Sequence, residues 1–165
     1  MSAYLALAVS VGVLAVLDTW LYFGPGASTA IAGLVWVSFI AWGCFFQSGA
    51  GTKGLMTAIL GMTFGALVGV AAVLLASGPL AGLGDPWAIS VTVGLGAFVI
   101  CLASKIPQLS VIPASVYGFA AVAGPIALGV KGATEALLPV VISIVIGAVF
   151  GFVSELLANA LTKKA

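Results

Sequence analysis

Six long apolar runs follow one another along the chain, separated by short segments rich in Gly, Pro, Lys or Asp. Most runs approach the roughly 20 residues that an α-helix needs to cross the hydrocarbon core of a bilayer. The pattern therefore predicts an all-α integral membrane protein. Its six transmembrane helices are expected over residues 3–23, 28–46, 54–77, 88–104, 109–128 and 134–161.

Small residues recur along one face of the third and sixth predicted helices. Residues spaced by four lie on the same helix face, and glycine there lets two membrane helices approach closely. We expect this stripe to be a helix-packing surface, with the lining of a path as the alternative. Its members are Gly61, Gly65 and Gly69 in the third helix and Ser143, Gly147 and Gly151 in the sixth.

An offset of 82 residues relates the two stripes and also pairs turn residues, Pro25 with Pro107 and Ser28 with Ser110. Three predicted crossings per half send the second half through the membrane in the opposite direction. The sequence thus predicts one membrane domain, 1–165, built as an inverted 3+3 repeat with halves of about 1–80 and 83–165. A six-helix bundle whose matches reflect biased composition is the alternative.

The distribution of lysine predicts the orientation of the chain. Lys53, Lys105, Lys163 and Lys164 fall on the side that both termini share, whereas Lys131 falls on the opposite side. By the positive-inside rule, the N- and C-termini are expected to be cytoplasmic.

Composition excludes several classes of function. The chain is 63% hydrophobic and only 5% charged, whereas about a quarter of the residues in a soluble domain are charged. The net charge of +1 gives no basic surface for nucleic acid. There is no His, no paired carboxylate and no phosphate-binding loop. We therefore expect no enzyme, no cofactor and no metal site. The expected partners are the lipid bilayer and further copies of the chain, in a homo-oligomer.

Four aromatic side chains lie three or four residues apart in the second predicted helix, on one broad face. They are Trp36, Phe39, Trp42 and Phe46. Three interpretations remain open: packing against lipid or core, an oligomer contact, or a narrow pore that excludes hydrated ions and passes small neutral solutes.

The fifth predicted helix contains Pro113, close to the hydroxyl groups of Ser110, Ser115 and Tyr117. Proline inside a helix removes a backbone donor and frees carbonyl groups. The segment is therefore expected to be a kinked helix, or a broken or re-entrant helix that offers carbonyls to a passing solute.

Apart from Glu135 at the very start of the sixth span, Asp18 and Glu155 are the only acidic residues inside predicted spans, each within about two turns of a helix end. Partial hydration lowers the cost of charge at such positions. We expect Asp18 and Glu155 to be acids at the membrane interface or to pair with Lys105 or Lys163. A role in proton coupling is the alternative.

Several segments together resemble the DUF1097 family of small bacterial inner-membrane proteins. They are residues 49–55 (GAGTKGL), residues 110–118 (SVIPASVYG), Leu137-Leu138-Pro139 and residues 147–151 (GAVFG). The resemblance implies a multi-pass protein of the bacterial inner membrane. It carries no activity and no site residue.

The favoured function is a channel-like protein that passes a small uncharged or weakly charged solute of the urea, short amide or ammonia class. The absence of a deep charge, the aromatic face and the predicted repeat lead to this expectation. A proton-coupled secondary transporter and a non-transporting scaffold or assembly factor are the alternatives.

Overall fold

Residues 1–162 form six α-helices and no β-strand in the computed structural model, which describes this part of the chain. The helices are α1 (Ala3–Phe23), α2 (Val35–Gln47), α3 (Gly51–Ser77), α4 (Trp87–Ala103), α5 (Ile112–Ala127) and α6 (Ala133–Leu161). The predicted all-α class and the number of helices are confirmed. Lys163 and Lys164, which enter the orientation prediction, lie outside the described residues.

The six helices differ in length. Three segments are long and apolar enough to cross a membrane. They are α3, α6 and the segment Ala3–Ser28, which comprises α1 and the turn after it. α2 has 13 residues, α4 has 17 and α5 has 16. At about 1.5 Å per residue, α2 is roughly 20 Å long, shorter than a hydrocarbon core of about 30 Å. Three of the six predicted spans thus have the full length of a crossing.

α2 is short because residues 28–34, predicted as the beginning of this helix, form turns instead. Pro25–Ser28 forms a 3-10 turn, and the Thr29 hydroxyl donates to the Gly26 carbonyl at 2.8 Å. Gly33 has a φ of +75°, a conformation that glycine adopts without the strain of a Cβ. A regular helix cannot pass through this residue, so α2 begins at Val35.

The prediction that Pro113 interrupts a helix is wrong. α5 begins at Ile112, and Pro113 lies in its first turn. The N–H groups of a first helical turn have no intrahelical acceptor, so a proline there removes no helical hydrogen bond. Pro113 therefore starts α5 instead of breaking it.

α3 and α6 are the central helices. α3 packs mainly against α5, and α6 packs mainly against α2; α1 lies against α6 and α4 lies against α3. α1 and α4 present many exposed apolar side chains, such as Val16 and Phe98, as expected for helices that face lipid. The largest fully buried side chains include Leu34, Phe45, Met62, Val122 and Ile144.

Two hydrogen bonds place the beginnings of α1 and α3 at the end of α6. The amino group of Met1 donates to the Leu161 carbonyl at 3.3 Å. The Gly51 N–H donates to the Glu155 carboxylate at 2.8 Å. The start of α1, the start of α3 and the end of α6 therefore lie at the same end of the molecule.

Candidate functional site

Four polar side chains are enclosed where α1, α2 and α6 meet. Asp18 and Tyr22 lie one turn apart near the end of α1, Ser38 lies near the start of α2, and Ser143 lies in α6. Asp18, Ser38 and Ser143 are 0% exposed and Tyr22 is 2% exposed. We call these four residues the buried polar cluster.

The oxygen atoms of the buried polar cluster lie close to one another, but none meets the distance and angle of a hydrogen bond with another. The Asp18 carboxyl faces the Ser38 hydroxyl, and the Tyr22 hydroxyl faces Ser38 and Ser143. Both Asp18 oxygens and the three hydroxyl oxygens have no hydrogen-bond partner among the described residues. An unsatisfied buried polar group costs about 1–3 kcal/mol, and ionisable groups inside membrane helices mark functional sites. The cluster is therefore the candidate functional site.

Gly147 allows α2 to come close enough to α6 to close the cluster. A Cβ at Gly147 would collide with the backbone carbonyl group of Ser38. Ser143 lies one turn before Gly147 on the same face of α6. The missing side chain of Gly147 thus lets Ser38 of α2 approach α6 one turn from Ser143, and both serines lie near the Tyr22 hydroxyl.

A second polar group on the same three helices is fully paired. The Ser10 hydroxyl donates to the Ser154 carbonyl at 2.7 Å, and the Trp42 indole donates to the Ser154 hydroxyl at 3.1 Å. The Ser154 hydroxyl in turn donates to the Gly151 carbonyl at 2.6 Å. These bonds join α1, α2 and α6, so this group is structural, in contrast to the unpaired cluster.

The four aromatic side chains predicted to share a face contact different neighbours. Trp36 reaches α5, where its ring carbon Cη2 would lie 2.7 Å from a Cβ on Gly124. Trp42 is buried and its ring centre lies 5.7 Å from that of Phe150 in α6. Phe39 is 40% exposed and stacks on Trp42 at 6.0 Å. Phe46 packs edge-on against Phe45 at 5.1 Å.

The hydroxyl groups around Pro113 are not brought together. Ser110 donates to the Pro107 carbonyl at 2.9 Å and borders a cavity of about 270 Å³ between α3 and the turn before α5. Ser115 is buried and its hydroxyl is unpaired. Tyr117 is 36% exposed and lines a cavity of about 500 Å³ between α2 and α5. A third cavity of about 780 Å³ lies between α3, α4 and α5 and is lined mainly by small apolar side chains.

The small residues of α3 face α5, and those of α6 face α2. A Cβ at Gly61 would lie 2.7 Å from the Cβ of Ala114, and one at Gly69 would lie 2.6 Å from Cγ1 of Val122. A Cβ at Gly65 would meet the Ser115 carbonyl oxygen. On the other side, a Cβ at Gly151 would lie 2.8 Å from Cδ1 of Phe45.

The two acids of the predicted spans have different environments. Glu155 is partly exposed and binds the first N–H of α3, where the helix dipole favours a negative charge. Asp18 is enclosed by protein, and the expectation of a hydrated interfacial acid is wrong for it. Asp18 lies close to the end of α1 in sequence, but α2 and α6 cover it. The spacing of Asp18 and Tyr22, four residues apart in an apolar run, is the signal in the sequence that could have indicated the cluster.

We expect Glu155→Ala to lower the free energy of unfolding by about 1–2 kcal/mol, because it removes a charge-assisted hydrogen bond and a favourable helix-dipole interaction. Thermal unfolding of the purified protein in detergent, followed by tryptophan fluorescence, measures the change. Asp85→Asn is the control, since Asp85 is an exposed loop residue. Equal stability of Glu155→Ala and the control would contradict the assigned role.

Comparison with known proteins gives one match. The family model described as "Protein of unknown function (DUF1097)" matches residues 8–159. Neither the curated proteins nor the solved structures contain a match.

Proposed function

Because the chain belongs to the DUF1097 family, whose function is unknown, we propose a function from the geometry of the buried polar cluster. We propose a transport protein of the bacterial inner membrane that moves a small solute together with a cation. The observation that carries this proposal is the set of five unpaired oxygen atoms enclosed at Asp18, Tyr22, Ser38 and Ser143. Their unpaired state is costly in the absence of a ligand, and a bound cation would offset that cost.

The charge distribution supports an uncharged or weakly charged solute, of the urea, short amide or ammonia class. Asp18 is the only fully buried charged residue in the described part of the chain. Asp85 and Glu135 are exposed, and Glu155 is engaged by Gly51. Once a cation neutralises Asp18, no buried counter-charge among residues 1–162 is left for a charged solute.

An inverted repeat is part of the proposal, and corresponding contacts in the two halves support it. α3 packs on α5 as α6 packs on α2, and α1 lies on α6 as α4 lies on α3. The stripe residues Gly65 and Gly147 are 82 residues apart. The serines that they meet, Ser115 and Ser38, are 77 residues apart.

α2 and α5 therefore correspond at an offset of 77 residues, whereas the other two helices of each half correspond at an offset of 82. Phe45 and Val122, which meet Gly151 and Gly69, give the same 77-residue separation. The shift arises before α2, since α2 begins ten residues after Pro25 whereas α5 begins five residues after Pro107. An ungapped alignment hides this relation because it pairs α2 with the wrong residues of α5.

Cytoplasmic termini are also part of the proposal. The contact of Met1 with Leu161 supports termini on one side of the membrane. The contact of Gly51 with Glu155 brings the start of α3, and with it Lys53, to that same end. A lysine at this end agrees with the positive-inside rule.

Uptake into proteoliposomes tests the proposed function. The purified protein is reconstituted, and fluxes of urea, acetamide and methylammonium are measured with and without an inward gradient of Na⁺ or H⁺. We expect flux above that of protein-free liposomes for at least one solute, with an increase when a cation gradient is imposed. Absence of flux for every solute under both gradients would overturn the proposal and favour the scaffold alternative.

Flux that is independent of every cation gradient would overturn the coupling and favour the channel-like protein expected from the sequence. Two variants identify the coupling group: Asp18→Asn is expected to lose the gradient dependence, and Glu155→Gln is expected to retain it. Glu155 is a suitable control because its carboxylate lies at the start of α3, away from the cluster.

A further inference from the structure

The donor atoms of the buried polar cluster are all oxygen. One carboxyl group and three hydroxyl groups supply five oxygen atoms, and each is inaccessible and unpaired among the described residues. Carboxylate and hydroxyl oxygens are hard ligands, which bind hard cations in preference to soft transition metals. The chemistry of the cluster therefore fits an alkali or alkaline-earth cation.

The charge of the cluster favours a single positive charge. Asp18 is its only ionisable acid, and divalent sites for Ca²⁺ commonly use several carboxylates. Asp18 and Tyr22 also lie near the C-terminal end of α1, which is the negative end of the helix dipole. One monovalent cation would neutralise Asp18 and interact favourably with this helix end.

The enclosure of the cluster favours an ion over a larger molecule. Asp18, Ser38 and Ser143 are fully buried and Tyr22 almost fully, so the cluster is closed to solvent on every side. A proton would engage only one carboxyl oxygen, whereas a metal cation can accept lone pairs from several oxygen atoms at once.

We propose that the buried polar cluster binds one Na⁺ ion through Asp18, Tyr22, Ser38 and Ser143. The site rests on the geometry of these residues, and its role as the coupling site rests on the proposed function. Na⁺ would thus be the cation that moves with the solute.

Binding of ²²Na⁺ to the purified full-length protein in detergent tests the site. We expect saturable binding of about one ion per chain that excess unlabelled Na⁺ displaces and choline does not. Asp18→Asn is expected to weaken the affinity at least tenfold. Ser38→Ala and Ser143→Ala are each expected to weaken it severalfold, and they provide an independent test if Asp18→Asn does not fold.

Two control variants separate the site from general effects. Ser115→Ala removes another buried unpaired hydroxyl, outside the cluster, and Glu155→Gln removes a carboxylate at the start of α3. Both are expected to bind Na⁺ like the original protein. No saturable binding, unchanged affinity in the cluster variants, or displacement by K⁺ at concentrations lower than Na⁺ would overturn the Na⁺ site.

The outcomes for binding and for transport can be told apart. Saturable Na⁺ binding without any solute flux would support the site and overturn the transport function. Solute flux that a proton gradient drives, with no Na⁺ binding, would support transport and overturn the site.

Discussion

Gly65→Ala and Gly147→Ala are each expected to lower the free energy of unfolding by about 1–3 kcal/mol, the usual cost of overpacking. In both cases the added Cβ meets a backbone carbonyl group of the neighbouring helix, that of Ser115 or of Ser38. Backbone cannot move aside as the end of a flexible side chain can, so the two helices must separate. Thermal unfolding in detergent measures the loss, and chromatographic homogeneity shows whether the variants remain folded.

Gly12→Ala and Gly94→Ala are the matched controls. Both glycines lie inside helices, and nothing lies within 4 Å of a Cβ added at either position. Alanine stabilises a helix interior by about 1 kcal/mol relative to glycine, so these variants should be as stable as the original protein or more stable. If all four variants had the same stability against thermal unfolding, the helix contacts at Gly65 and Gly147 would not be tight.

Asp18→Leu is expected to abolish cation-dependent solute uptake and to raise the free energy of unfolding in Na⁺-free buffer by about 1–3 kcal/mol. Replacing an unpaired buried polar group by an apolar one removes its desolvation cost. Higher stability together with lost uptake is the result expected for a functional residue. Replacement of a structural residue would instead lower the stability of the protein. Uptake into proteoliposomes and thermal unfolding of the same preparation give the two measurements.

Two serines of α6 provide a matched pair for this prediction. Ser143 and Ser154 are both fully buried, but the Ser143 hydroxyl is unpaired and the Ser154 hydroxyl is hydrogen-bonded to Trp42 and Gly151. Ser154→Ala should lose about 1 kcal/mol, and Ser143→Ala should lose nothing in the absence of Na⁺. A loss of stability in Asp18→Leu or Ser143→Ala would contradict a functional origin of the unpaired oxygens.

Much of the helical pattern could be predicted from local sequence. α1 has the predicted bounds, Ala3–Phe23, and α3 and α6 end at the predicted residues, Ser77 and Leu161. Apolar runs of this length form helices in a membrane because the backbone polar groups must be satisfied within the segment. The starts of α2 and α5 were predicted less well, since composition alone does not show where a 3-10 turn replaces an α-helix.

The candidate site could be predicted only in part. The sequence shows Asp18 as an acid within a span, but its short distance from the end of α1 predicts contact with water. Ser38 lies off the aromatic face of the second predicted helix and gives no signal of its own, and the position of Ser143 in the small-residue stripe predicts helix packing. Nothing local to α1, α2 or α6 indicates that these three residues meet.

Local sequence alone specifies that this chain folds into apolar helices, because hydrophobicity and the need to pair backbone polar groups act within a single segment and leave few alternatives. It also determined the stripes at Gly65 and Gly147, which are properties of one helix each. The contact of α2 with Gly147 and the enclosure of Asp18 depend instead on tertiary packing. The burial of a side chain depends on which distant helix covers it, and that choice is made by the packing of all six helices together.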